Sequence, residues 1–169
     1  ETTAKKKTHP LKTIKILCRN KYFILITLAF AVIYTSLGLT GGSRIYYAKY
    51  VLGDEMLNST MTMFNYIPTI LTIMLIPVFT KRFGKIKALF VGFLFYAAGL
   101  VLEIAGPVNL PMIYTGLVLQ GIGHAALYSC LFAIVGDVVD YSEWKDGVRE
   151  EGITYSVTSF GQKIGTGLG

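Results

Sequence analysis

Lys163 is the lone charge in the stretch 153–169, where Ser156, Ser159 and Thr166 recur around it at spacings of three and four. An apolar stretch of this length is expected to form a helix, and those four residues then share one face. With Gly152 taken as the membrane surface, a rise of about 1.5 Å per residue puts the ammonium roughly 16 Å deep. That is near the middle of a hydrocarbon layer about 30 Å thick. An ammonium at that depth costs about 2.5–3.5 kcal/mol on insertion scales, so it must face a partner or a wet cavity. The chemistry it suggests is recognition of a solute or ion passing beside it.

Tyr128 precedes Asp137 on the preceding apolar run and reaches a similar depth from the same side, roughly 14 Å at the helical rise. Its ring can stack on a solute or its hydroxyl can hydrogen-bond one; equally, it can be a packed tyrosine satisfied by its neighbours. Thr158 and Gln162 flank the Ser156–Ser159–Lys163 row, and the serines themselves also suit helix–helix hydrogen bonding. The row is expected to face the interior of a bundle. Tyr34, Thr35 and Ser36 lie at comparable depth, and His124 is one turn outward of Tyr128. Glu103 stands near the end of its run and is expected to reach water.

The segment 137–151 gathers Asp137, Asp140, Glu143, Asp146, Glu150 and Glu151 against Lys145 and Arg149. It reads as a charged, solvated loop. Asp137 and Asp140 would close a helix whose dipole disfavours carboxylates there, so cationic partners are expected, and an ionic lock is the sharper reading.

These residues must be held by membrane helices. The chain is 53% hydrophobic and only 15% charged, with a mean hydropathy of +0.54, whereas soluble domains carry about 25% charged residues. The fold class expected is all-α, a polytopic transmembrane bundle. Apolar runs place spans at 22–50, 59–80, 88–105, 111–136 and 153–169, the last still apolar where the sequence stops. Residues 1–21 form a basic linker, and 22–169 the bundle. Gly41-Gly42 is expected to bend the long first span or let another helix approach. Pro68 and Pro77 are tolerable in a membrane helix.

The net charge of +6 does not indicate nucleic-acid binding, because the cations cluster between apolar runs and accompany no soluble basic fold. Lysines and arginines fall before the first span, after the second and after the fourth, with only Arg44 and Lys49 on the opposite side. The N-terminal side is therefore expected to be cytoplasmic. Residues 1–21 could also lie on headgroups as an amphipathic helix. Cys18 and Cys130 offer neither a disulfide framework nor metal spacing. A membrane-embedded enzyme would need a nucleophile with a base, or metal ligands, and the spans supply one histidine, no aspartate and no such set.

The run Gly136-Asp-Val-Val-Asp-Tyr-Ser-Glu-Trp-Lys-Asp-Gly-Val-Arg-Glu-Glu-Gly152, followed by Lys163 in the next helix, resembles the glycoside–pentoside–hexuronide:cation symporters of the major facilitator superfamily. The melibiose carrier is the best-known member. Ile45-Tyr-Tyr-Ala-Lys-Tyr-Val-Leu-Gly-Asp54 resembles the same family, and Lys81-Arg-Phe-Gly-Lys85 is similar to the short-loop motif of the wider superfamily. The resemblance implies most of the C-terminal half of a twelve-helix bacterial inner-membrane transporter, lacking an N-terminal six-helix half. It implies sugar symport with Na⁺ or H⁺ as coupling cation and no other cofactor, among membrane lipid. It places Lys163, Tyr128, Thr158, Ser159 and Gln162 around the sugar and cation, and Asp137, Asp140 and Arg149 at a cytoplasmic gate. The aromatic position matching Tyr128 is a tryptophan in the melibiose carrier. A lipid or drug carrier on the same scaffold is the alternative.

Overall fold

A computed structural model describes residues 20–146 and 151–168. They form α1 (Lys21–Tyr50), α2 (Leu57–Phe83), α3 (Lys85–Ala105), α4 (Leu110–Asp146) and α5 (Glu151–Leu168), with no strand among the described residues. The all-α expectation holds. The basic linker and Arg149 lie outside the described residues. Four helices, α1 to α4, are long and apolar enough to cross a membrane. The 18-residue α5 is not among them, because its glycines, threonines, serines, Gln162 and Lys163 dilute its apolar content.

Two compact units emerge: Leu39–Ala133, and the described residues outside that range, so that α1 and α4 contribute to both. In the first, α2 ends at Gly84, whose φ of 86° favours glycine and whose N–H bonds the Thr80 carbonyl at 2.9 Å before α3 begins. α3 and α4 run antiparallel on glycines. A Cβ added at Gly116 would sit 2.7 Å from the Gly99 carbonyl oxygen, and one at Gly123 would sit 2.6 Å from that of Gly92. Backbones this close pack by dispersion and weak Cα–H···O contacts, which is how membrane helices associate without a hydrophobic drive. α2 and α4 run parallel, tied by Asn65 Nδ2 to the Leu117 carbonyl (3.1 Å) and by Thr69 Oγ1 to that of Gly121 (3.0 Å). Apolar cores lie toward both ends, one of Ala48, Met61, Ile113 and Leu117 and one of Ile76, Ala88, Ala126 and Cys130.

In the second unit, α5 lies parallel to the first part of α1. Gly165 meets Ala31, Tyr34 and Thr35, and Gly161 meets Thr27. Residues 136–146 are not a loop. α4 continues unbroken to Asp146, since no glycine or proline lies between Gly136 and Asp146 to stop it, and Val138, Val139 and Ser142 turn inward at helical spacing. Asn20 fixes this extension to the start of α1. Its amide donates to Ser142 Oγ at 3.0 Å, its carbonyl oxygen Oδ1 accepts the Tyr22 N–H, and Tyr22 packs edge-on against Tyr141. Asp137 and Asp140 thus sit inside a helix, not at its end. Gly41 and Gly42 are exposed, and a Cβ on Gly41 would meet nothing within 4 Å among the described residues; α1 is assigned as one helix across the pair.

Candidate functional site

The face of α5 that packs against α1 is made of Thr154, Thr158, Gly161 and Gly165. Thr158 is wholly buried, its hydroxyl shared between the Thr154 and Tyr155 carbonyls of its own helix. It does not share the face of Ser159 and Lys163. The Ser156–Ser159–Lys163–Thr166 row, expected to face the bundle interior, is exposed instead. The physical reason is steric: Gly161 and Gly165 let α1 approach on one side only, and the serine–lysine row lies about a quarter-turn or more away.

Tyr155, Ser156, Ser159, Phe160 and Lys163 line an open groove of about 400 Å³ along that outward face. It offers an ammonium, serine hydroxyls and two aromatic rings over about two turns of helix. Ser156 Oγ donates to the Gly152 carbonyl at 2.7 Å, which leaves its lone pairs to accept. Gln162 is half-buried at the edge of this face. A hydroxyl-rich solute suits such a surface: polar groups take its hydroxyls and rings take its C–H face.

Tyr128 belongs to the other unit, half-buried, with its ring stacked on His124 (centroids 5.6 Å, planes 24° apart). His124 in turn meets Tyr96 of α3 at 4.8 Å. A three-ring column therefore fixes the orientation of Tyr128. Its i, i+4 part, His124 to Tyr128, is legible in the sequence, whereas Tyr96 becomes a neighbour only through the Gly92–Gly123 register. Asp137 and Asp140 are exposed on the α4 extension.

Sequence reasoning missed a second polar place. Thr40, Ser43, Arg44 and Tyr47 of α1 line a cavity of about 450 Å³ with Met61, Glu103, Ile104 and Pro107. The Tyr47 hydroxyl donates to the Pro107 carbonyl. Glu103 is half-buried there and faces Arg44 rather than simply reaching water. The signal was available: opposite charges stand at the same end of two spans. Nearby, Gln120 is fully buried and packs on Gly99. No group of three or more metal-ligating side chains occurs among the described residues.

The chain matches the MFS/sugar transport protein family over residues 1–169. It is 30% identical to the isoprimeverose transporter of Lactiplantibacillus pentosus, with 100% of this chain and 36% of the relative aligned. It is 30% identical to the glucuronide carrier protein homolog of Escherichia coli (strain K12), over 94% of this chain and 35% of that protein. A protein of Bacillus subtilis (strain 168) named as an uncharacterized symporter is 26% identical, over 92% of this chain and 34% of its own length. The chain thus spans about a third of the relatives it matches. No solved structure matches it. With four membrane-length helices and these relatives, the chain is part of the multi-pass membrane class and belongs to the MFS/sugar transport protein family, within the glycoside–pentoside–hexuronide group, a family of transporters and not of enzymes.

Proposed function

We propose that this chain is the C-terminal part of a symporter that carries a glycoside or related sugar together with Na⁺ or H⁺ by alternating access. The observation that supports it most is the outward groove of α5. A serine–lysine row that the described residues do not cover, in a chain about a third as long as its relatives, suits a solute pathway completed by a further six-helix half. Placing Lys163 toward that pathway avoids the cost of an ammonium in hydrocarbon. In this reading Lys163 and Ser159 hydrogen-bond the sugar, Gln162 borders it, Tyr128 stacks on it, and Thr158 supports α5 from behind. The family resemblance also puts Lys163 near the coupling cation. Asp137, Asp140 and Arg149 help close the cytoplasmic side in this reading.

Orientation follows from charge. Lys81, Arg82, Lys85 and Lys87 around Gly84, with Lys145, outnumber Arg44 and Lys49 at the opposite ends of their spans, which puts the Gly84 turn in the cytoplasm of a bacterial inner membrane.

The test is uptake by the full-length protein in a host lacking its own carriers. Radiolabelled glycosides and hexuronides should accumulate, and an imposed Na⁺ or proton gradient should drive them. Movement of lipid or drug without any sugar accumulation would replace this reading with the other carrier class. Within the same assay, Tyr128→Ala should raise the KM for sugar about 3- to 10-fold with little loss of protein, as expected for one lost aromatic contact of about 0.5–1.5 kcal/mol.

A further inference from the structure

We propose that the groove between α2 and α3 beside the Gly84 turn is a binding site for one anionic glycerophospholipid. The groove encloses about 220 Å³ and is walled chiefly by Leu75 and Phe79 of α2, Ala88, Val91 and Phe95 of α3, and Ala126 of α4. The volume would hold about seven waters at their liquid density, but Thr72 is the one polar side chain among the lining residues, too few to hold them. A hydrocarbon chain fits where water does not.

The charge at its mouth specifies the headgroup. Phe79 stands two residues before Lys81 and three before Arg82, and Ala88 directly follows Lys87. The tight turn at Gly84 brings these two ends together, so the apolar groove opens within a turn of three exposed cations. Lys85 serves another purpose, its Nζ bonding the Ala133 carbonyl at 3.2 Å. No aspartate or glutamate occurs between Glu55 and Glu103, so nothing on these two helices neutralises the cluster. Orientation alone would require the cations but no groove, and ordinary boundary lipid would require the groove but no cluster at its end. Together they match a phosphate diester that carries net negative charge above an acyl chain.

The site is independent of the transported solute, and its test reads lipid, not transport. The full-length protein, purified and reconstituted in mixed phosphatidylglycerol and phosphatidylcholine, is re-extracted and its retained lipids are quantified by mass spectrometry. Phosphatidylglycerol should be retained preferentially. The combined Lys81→Gln, Arg82→Gln and Lys87→Gln variant should lower that retention about a hundredfold, given roughly fivefold for each of the three cations, and leave phosphatidylcholine unchanged. Val91→Trp, which fills the groove without changing charge or orientation, should release the same lipid. Equal retention of the two lipids by the unaltered protein would overturn the site. So would undiminished phosphatidylglycerol in Val91→Trp, or full displacement by chain-free glycerol phosphate, since each would reduce the binding to surface attraction.

Discussion

Sugar accumulation by the full-length transporter should fall roughly ten- to a hundredfold when Lys163 is replaced by cysteine, while the amount of protein in the membrane stays the same or rises. The two halves of that expectation have one cause. A hydrogen bond from a charged donor contributes about 1.5–3 kcal/mol, and each 1.4 kcal/mol is tenfold, so in the proposed role of Lys163 the loss of its amine removes about one to two orders of magnitude. Replacing an ammonium with a small neutral side chain adds no cost to placing this helix in a membrane, so the variant should insert without difficulty. Ser156→Ala, about two turns nearer the start of α5 on the same groove, should cost far less, because its hydroxyl already donates to the Gly152 carbonyl. Gradient-driven uptake measured beside immunoblot quantities of membrane protein checks both halves. Unimpaired uptake in Lys163→Cys would remove this residue from the solute path, and a parallel loss of protein would make it a structural residue instead.

The membrane helices were legible because long apolar runs are separated by charge clusters, and no competing arrangement satisfies the backbone of such runs in lipid. The row Ser156–Ser159–Lys163 was legible as a shared face. Which way that face points was not, because Thr154–Thr158–Gly161–Gly165 has the same spacing and is also small and polar. Only the contact with Thr27, Ala31 and Thr35 decides between them. The α4 extension was hidden for a different reason. Six acids in 137–151 resemble a loop by composition, yet Val138, Val139 and Ser142 carry a helical pattern that the charges mask. Its anchor, Asn20 on Ser142, joins residues 122 positions apart, which no local signal announces. The Arg44–Glu103 cavity was likewise obscured because each charge, taken singly, passes for a span-end residue.

The largest loss of folded protein should come from a residue with no side chain. Gly123→Leu places a Cβ 2.6 Å from the Gly92 carbonyl oxygen and 2.7 Å from both the Tyr96 backbone nitrogen and its Cβ. Two of those three atoms are backbone, so no rotamer change relieves the clash and α3 must move away from α4. Separation at this point opens the matching Gly99–Gly116 contact along the same seam and pulls Tyr96 off His124, so the ring column that orients Tyr128 is lost with the packing. Overpacking in a well-packed core costs about 1–3 kcal/mol when side chains can give, and more where backbone is struck. Against the modest stability of membrane helix associations, that predicts at least tenfold less monodisperse protein after detergent extraction. Gly167→Leu is the matched control, because a Cβ there meets nothing within 4 Å and the residue is exposed. Fluorescence-detected size exclusion of the two variants should show a collapsed peak for the first and an unchanged peak for the second. An intact peak for Gly123→Leu would mean that α3 and α4 do not meet at this seam, and the Tyr96–His124–Tyr128 column built on it would fall too.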